Sequence, residues 1–198
     1  VPRYKDKGSS MEFPFNEVME AIKPGVKLVV VCNPNNPTGT SVQRGQLEEI
    51  IEKAATTKSK PSIKKPSVLN LFGYSGGASL SAALAGAEVT HVDASRAAIN
   101  WANENAKSSA LEEKPIRWIL EDAASFVKRE LRRGNTYDAI IMDPPAFGRG
   151  TKGEVWKIEE AFLPFLEDCF KLLSDKPLFV VINGYAAGYS PIAYENNL

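Results

Sequence analysis

The chain has few of the residues that hold metal ions or disulfides. Among its 198 residues there are two cysteines and one histidine. Cys32 and Cys169 lie far apart in apolar stretches, which indicates reduced, buried thiols and a cytoplasmic protein. A single histidine, His91, excludes a multi-histidine zinc site and disfavours a histidine-based triad. We therefore expect no metal site and a structural role for His91.

Long hydrophobic runs and an excess of charge of one sign are also missing. No apolar segment is long enough to cross a membrane and no signal peptide is visible, so we expect no membrane partner. Lysine plus arginine and aspartate plus glutamate both count 24. This balance provides no overall basic field for nucleic acid, whose binding would need a local patch or another domain. We expect a monomer.

The most informative stretch runs from residue 68 to residue 95. An apolar run leads into a turn with three glycines, then a segment of helical length, then a second apolar run that ends on Asp93. This order predicts strand, turn, helix and strand. Glycines allow close approach to a ligand, a helix N-terminus offers unpaired N–H groups, and the terminal acid can accept from ribose hydroxyls.

The glycine spacing narrows the choice of ligand. Gly73, Gly76 and Gly77 do not fit the G-x-G-x-x-G pattern of a dinucleotide site. A ligand with a ribose but no phosphate is therefore favoured, and S-adenosylmethionine is the foremost candidate. The alternative is a plain strand–helix–strand unit whose glycine turn has no ligand.

Three further apolar runs predict strands, and two of them end on acids. Asp122 and Ala123 follow the run Ile116–Leu120, and Asp143-Pro144-Pro145-Ala146-Phe147 follows Ala139–Met142. An acid before two prolines forms a rigid loop that can place oxygen acceptors beside a reacting group, and the phenyl ring can stack on a base. Alternatively, Asp93 and Asp122 are helix N-caps, and the two prolines merely end a strand.

Residues 1–55 have a different character. They predict a helix over Asn16–Ile22, a strand buried on both faces over Val26–Cys32 and an amphipathic helix over Val42–Ala55. The connecting loop, NPNNPTGT, resembles that of fold-type I pyridoxal-phosphate (PLP) aminotransferases of the histidinol-phosphate branch. This resemblance implies that Asn36 matches the cofactor-binding asparagine. The lysine and acid that such enzymes also need do not follow, so we expect a vestigial PLP loop that does not bind PLP.

From residue 66 onwards the chain resembles class I S-adenosylmethionine-dependent methyltransferases related to the large-subunit ribosomal RNA methyltransferases. The motifs LNLFGYSGG, THVDAS, LEDA and IMDPPAFGRGTKGEVWKIEE carry the resemblance. It implies a nucleic-acid acceptor, a site for the methionine part at the glycine turn, a ribose site at Asp93 and an adenine site at Asp122. The implied cofactor-binding residues are Gly73, Tyr74, Ser75, Gly76, Gly77, Asp93, Asp122 and Ala123, and the implied catalytic residues are Asp143, Pro144, Pro145 and Phe147.

Two resemblances in one chain favour a chimera. We expect an aminotransferase-like segment over 1–55, a linker over 56–66 and a truncated methyltransferase core over 67–198, integrated in one α/β domain. The last strands and the RNA-binding domain of the relatives are not recognised. Little or no enzyme activity is therefore expected, and the alternative is a purely structural chimera without ligand binding.

The expected fold is a three-layer, Rossmann-like, doubly wound α/β domain with a parallel sheet of about six strands. Five of them should follow the order 3-2-1-4-5, with Val26–Cys32 at the edge beside the fifth, Leu178–Ile182. The polar, glycine-rich segment after Phe147 predicts a mobile loop. A long helix is expected over Val155–Leu173, interrupted or restarted near Pro164.

Overall fold

The computed structural model describes residues 5–6, 11–23, 43, 45–46, 49–50, 53, 65–150 and 153–183. The predicted strand Val26–Cys32 lies outside these residues. The strands are β1 Lys5–Asp6, β2 Met11–Glu12, β3 Ser67–Leu71, β4 Glu88–Asp93, β5 Ile116–Leu120, β6 Ala139–Met142, β7 Phe147–Arg149, β8 Val155–Lys157 and β9 Phe179–Ile182. The helices are α1 Phe15–Ala21, α2 Gly77–Leu84, α3 Arg96–Ser108, α4 Ala123–Arg133 and α5 Ile158–Lys171.

The central sheet has five strands in the order β5-β4-β3-β6-β9. The pairs β3–β4, β3–β6 and β4–β5 are parallel. Numbered along the chain, this order is 3-2-1-4-5, so the predicted Rossmann-like topology is confirmed. Parallel strands buried on both faces require apolar side chains at successive positions. In β3 the four residues from Val68 to Leu71 are all buried.

The helices cover the two faces of the sheet. Right-handed crossovers place α2 and α3 on one face, because β3, β4 and β5 advance in one direction, and they place α4 and α5 on the other. On the first face, Leu80 of α2 packs with Ala106 of α3 and with Leu111. Ile116 and Trp118 of β5 lie against this cluster. The result is the three-layer arrangement that the alternating strand and helix patterns predict.

The chain divides into two compact units, Val1–Pro61 with Leu178–Leu198, and Ser62–Pro177. In the first unit, β1 pairs with β2 in antiparallel register. The predicted helix over Val42–Ala55 is described at six residues. Gln43 is not helical, and the other five are: Gly45, Gln46, Glu49, Ile50 and Lys53. Ile50 is buried, as its predicted apolar face requires. A single integrated domain over residues 1–198 stays a prediction.

A buried carboxylate stabilises the second unit. Glu130 of α4 is fully buried, and its oxygens accept from the Tyr137 hydroxyl at 3.0 Å, from Asn135 Nδ2 at 2.8 Å and from Arg133 Nη1 at 3.2 Å. Burial alone would raise the pKa of Glu130, but these hydrogen bonds outweigh it and lower the pKa. Burial also raises the pKa of Tyr137 to about 12. The pair is therefore an ionised acid and a neutral phenol at neutral pH.

Replacing Tyr137 with phenylalanine should lower the free energy of unfolding by about 1.5–3 kcal/mol, the range for a hydrogen bond to a charged group. The buried carboxylate would lose one donor and keep its desolvation cost. Urea unfolding at pH 7 measures the change. Tyr74→Phe is the matched control, because that tyrosine is 61% exposed. Equal stabilities for the two variants would contradict the prediction.

Candidate functional site

The predicted site residues meet at one edge of the sheet. The glycine turn follows β3, Asp93 ends β4, Asp122 follows β5 and Asp143 follows β6. Because these strands are parallel neighbours, their carboxyl ends lie side by side. Ligands of open parallel sheets bind at this edge. The topology therefore brings together in space four segments that are far apart in sequence.

The glycine turn has an unusual backbone. Phe72 and Tyr74 have φ angles of 55° and 48°, and Gly76 has a φ of 85°. The Gly73 N–H donates to the Val92 carbonyl at 3.0 Å, and the Gly76 N–H donates to the Gly73 carbonyl at 3.0 Å. Left-handed conformations at two non-glycine residues are costly and persist where the surroundings impose them. The turn is thus held in one conformation at the N-terminus of α2.

His91 lies beneath this turn and is fully buried. A Cβ atom on Gly73 would come within 2.3 Å of the imidazole Cε1 atom, so only glycine fits above the ring. Asn70 Nδ2 donates to Ser79 Oγ at 2.9 Å, and the hydroxyl lies 2.9 Å from His91 Nδ1. The hydroxyl can donate to Nδ1 or accept from it, according to the tautomer of the neutral ring. Burial lowers the pKa of His91 to about 4.

Asp93 is tied to the turn by backbone hydrogen bonds. Its Oδ2 accepts from the Tyr74 N–H at 2.9 Å and its Oδ1 accepts from the Ser95 N–H at 2.8 Å. The alternative that Asp93 caps α3 is wrong, because the N-cap is Ser95, whose Oγ accepts from the Ala98 N–H at 3.3 Å. A carboxylate has about four acceptor positions. Asp93 can therefore accept further hydrogen bonds from a ligand.

Asp122 does cap a helix, as the alternative interpretation of the sequence holds. Its Oδ2 accepts from the Ser125 N–H at 2.8 Å at the start of α4, and Ala123 is the buried first residue of that helix. Capping occupies one carboxylate oxygen and leaves Oδ1 for other donors. A Cβ atom on Gly150 would lie 3.0 Å from the Asp122 Cβ atom. Gly150 therefore approaches the capping acid closely.

The segment after Phe147 differs from its prediction. Its described residues form an antiparallel hairpin rather than an irregular loop, and β7 pairs with β8 through Gly148 and Trp156. Mobility of the segment stays a prediction. The predicted helix over Val155–Leu173 is correspondingly shorter, because Val155–Lys157 is strand and α5 begins at Ile158. Pro164 lies inside α5 without ending it, so the predicted interruption is wrong.

Three aromatic residues outside the predicted site pack together: Trp156 of β8, Phe72 and Phe165. The Trp156 ring centroid is 5.1 Å from that of Phe72 and 5.2 Å from that of Phe165, and the rings of Phe72 and Phe165 are 5.7 Å apart. The Trp156 Nε1–H donates to the Pro145 carbonyl at 2.6 Å. Alternation of exposed Val155, buried Trp156 and exposed Lys157 is a strand pattern that could have revealed the hairpin.

The remaining expectations concern other parts of the chain. Asn36 lies outside the described residues. The described part of the chain has no cluster of metal-binding side chains and no helix that is long and apolar enough to cross a membrane.

A cavity of about 420 Å³ opens at the opposite, amino-terminal edge of the sheet, lined by residues that include Glu88 and Arg117. Its position separates it from the predicted site residues.

Sheet order, glycine turn and strand-terminal acids together define a Rossmann-like methyltransferase fold. The chain belongs to the family described as Conserved hypothetical protein 95, whose model matches residues 26–161. A structure described as the SAM-dependent methyltransferase from Agrobacterium tumefaciens shares 48% identity with a TM-score of 0.71, over 79% of this chain and 49% of that one.

Curated relatives are larger proteins. Ribosomal RNA large subunit methyltransferase K/L from Shewanella pealeana is 38% identical over 113 residues, which are 56% of this chain and 16% of the relative. The protein of the same name from Pseudoalteromonas atlantica is 28% identical over 159 residues, 79% of this chain and 21% of that relative. The matched part of this chain thus spans less than a quarter of their length.

The similarity to methyltransferases extends across residues 56–66, the linker predicted between the two segments of a chimera. The family match begins at residue 26 and continues through residues 56–66. The 159-residue match is longer than the segment from residue 66 to the C-terminus, so it extends upstream as well. These comparisons support the methyltransferase relationship. They give no support to an aminotransferase-like segment or a chimera.

Proposed function

We propose that this chain is the cofactor-binding and catalytic core of an S-adenosylmethionine-dependent methyltransferase that acts on a base of ribosomal RNA. The observation that carries the proposal is the convergence of Asp93, Asp122 and the Asp143–Phe147 loop on the glycine turn at one sheet edge. The RNA acceptor is inferred from the names of the curated relatives.

The residues at this edge fit the cofactor. Open space surrounds the Cα of Gly77, where an added Cβ would meet no atom within 4 Å, so the start of α2 can receive the methionine part. Asp93 would accept from the ribose hydroxyls through its remaining acceptor positions. Asp122 Oδ1 would accept from the adenine amino group. Tyr74, Ser75 and Gly76 supply the backbone of the turn, and Ala123 supplies a small buried side chain beside the adenine.

The loop after β6 would position the acceptor. When bound, the cofactor supplies an electrophilic methyl group. The Asp143 carboxylate and the Pro144 carbonyl are suited to accept from an amino group of the target base, and they would hold its nitrogen in line with the methyl. Phe147 is 55% exposed and can stack on that base. Prolines at 144 and 145 reduce the freedom of the loop, so little entropy is lost when the acceptor binds.

The described cysteine is unsuited to act as a nucleophile. Cys169, the cysteine among the described residues, is fully buried in α5. Burial raises the pKa of its thiol, so the reactive thiolate is strongly disfavoured at neutral pH. Direct transfer to an amino nitrogen needs no such nucleophile.

The test of the cofactor site is Asp93→Asn. Calorimetric titration with S-adenosylmethionine or S-adenosylhomocysteine should show binding to the unaltered chain. The variant should bind at least tenfold more weakly, equivalent to about 1.4 kcal/mol, because the charged acceptor is lost. Glu88→Gln is the matched control at the opposite end of the same strand, and it should bind normally.

Two results would count against the proposal. Binding of Asp93→Asn with unaltered affinity would remove the ribose role of Asp93. No heat from the unaltered chain at millimolar cofactor would favour the alternative, a chain that folds without binding this ligand. Incorporation of labelled methyl groups into protein-free large-subunit ribosomal RNA tests the acceptor separately.

A further inference from the structure

We propose that Trp156 is a positioning residue for methyl transfer, acting through its indole N–H on the carbonyl of Pro145. This role rests on the proposed function, and it adds a residue outside the Asp143–Phe147 loop. The 2.6 Å hydrogen bond joins the centre of the β7–β8 hairpin to the second proline of the loop.

The hairpin and the start of α5 donate hydrogen bonds to two successive carbonyls of the loop. The Trp156 Nε1–H donates to the carbonyl of Pro145, and the Ile158 N–H at the start of α5 donates to that of Ala146 at 3.0 Å. Among the residues that the structure describes, none donates to the carbonyl of Pro144. The carbonyls of Pro145 and Ala146 thus accept hydrogen bonds from within the protein. Among the described residues, the Pro144 carbonyl is thereby left as an acceptor for the target base.

The indole is buried in an aromatic cluster. Trp156 is 5% exposed and contacts the rings of Phe72 and Phe165. Phe72 immediately precedes Gly73, so the same indole contacts the residue that leads into the glycine turn. A buried N–H without an acceptor is destabilising, so the Pro145 carbonyl and the indole hold each other in place. Trp156 thereby links the acceptor loop to the cofactor turn.

The far end of the hairpin also reaches the proposed cofactor site. An added Cβ on Gly150, next to the end of β7, would lie 3.0 Å from the Cβ of Asp122. The hairpin therefore runs from the acceptor loop to the acid proposed for the adenine. An element in contact with both the acceptor loop and Asp122 can set the distance between methyl donor and acceptor. A change in this distance affects the reaction rate more than it affects binding.

The experiment compares Trp156→Phe with Phe165→Leu in the full chain. The first variant keeps an aromatic ring and removes the N–H donor, and the second keeps the donor and loosens the packing around it. Cofactor affinity is measured by calorimetry, stability by thermal unfolding, and kcat and KM by methyl transfer to protein-free large-subunit ribosomal RNA. Hydrogen exchange is followed in peptides that cover residues 146–158.

For Trp156→Phe we expect unaltered cofactor affinity, a KM within threefold and a kcat lowered roughly 10- to 100-fold, the loss that a misplaced acceptor produces. Phe165→Leu should unfold at a lower temperature and keep its kcat within threefold. A merely structural role would lower stability, affinity and kcat together in both variants, and that result would overturn the proposal. So would an unaltered kcat in Trp156→Phe.

Failure of the proposed function is distinguishable from failure of this proposal. If the unaltered chain methylates no RNA, the assigned acceptor is wrong, and hydrogen exchange decides the role of Trp156. Faster exchange over residues 146–158 in Trp156→Phe than in Phe165→Leu, under conditions of matched stability, would show that the indole donor holds the loop. Equal exchange would refute it.

Discussion

Replacing Gly73 with alanine should destabilise the protein more than any other small change at the glycine turn. The added Cβ would lie 2.3 Å, 2.5 Å and 2.9 Å from His91 Cε1, Nδ1 and Nε2, distances that real Cβ atoms do not reach. The imidazole cannot move into solvent, because it is fully buried and packs on Trp118 with ring centroids 4.8 Å apart. Overpacking of this kind costs about 1–3 kcal/mol, and we expect the upper end.

Gly77→Ala is the matched control, because its Cβ would meet no atom within 4 Å. Alanine at this first residue of α2 should leave stability unchanged or raise it by up to about 1 kcal/mol. If the cofactor occupies the space beside Gly77, the same variant should weaken its binding. Urea unfolding and calorimetric titration separate the two effects. If the Gly73→Ala protein were as stable as the Gly77→Ala protein, the His91 ring would be able to move away from the added Cβ atom.

The positions of the sheet strands could be predicted from short apolar runs that end at turns or acids. Strand β3, however, ends one residue before its apolar run does. Phe72 continues the apolar run of β3, yet its φ of 55° takes the backbone out of the strand and into the turn. Its ring then packs on Trp156 and Phe165. Residue type predicts that Phe72 is buried, whereas the turn geometry decides where it points.

The hairpin could not be predicted from local sequence because its stability is not local. Each strand has three residues, too few to be stable alone. The pair forms because Trp156 buries its ring against Phe72, which is distant in the chain, and donates to the Pro145 carbonyl. Similarly, Pro164 is tolerated inside α5 because the buried side chains of Phe162 and Phe165 hold the helix against its neighbours.

The candidate site was more predictable than the elements that support it. Strand-terminal acids are visible in sequence because each interrupts an apolar run, and parallel topology then brings them to one edge. The alternatives for Asp93 and Asp122 could not be separated in this way, since both precede helical sequence. Whether Ser95 or Asp93 caps α3 depends on the backbone angle at the end of β4, which residue type does not determine.

Acidification should destabilise the protein through His91. The pKa of this buried imidazole is about 4 in the folded chain, compared with an ordinary value of 6.5. Burial is the main cause, and the charge of Asp93 opposes it in part. Above pH 6.5 neither the folded nor the unfolded chain protonates the ring. Between pH 6.5 and pH 4 the unfolded chain binds a proton that the folded chain does not, so the free energy of unfolding falls with pH.

The expected loss from His91 over this window is about 3 kcal/mol, at 1.36 kcal/mol for each pKa unit. Carboxylates such as Glu130, whose pKa is lowered in the folded protein, also lose stability on acidification, at the lower end of the same window. His91→Gln separates the contributions, because an amide stays neutral throughout while the carboxylates are retained. Urea unfolding from pH 7 to pH 4 should show a steeper decline for the unaltered protein than for this variant. Parallel curves would mean that the folded protein accommodates the imidazolium beneath the glycine turn.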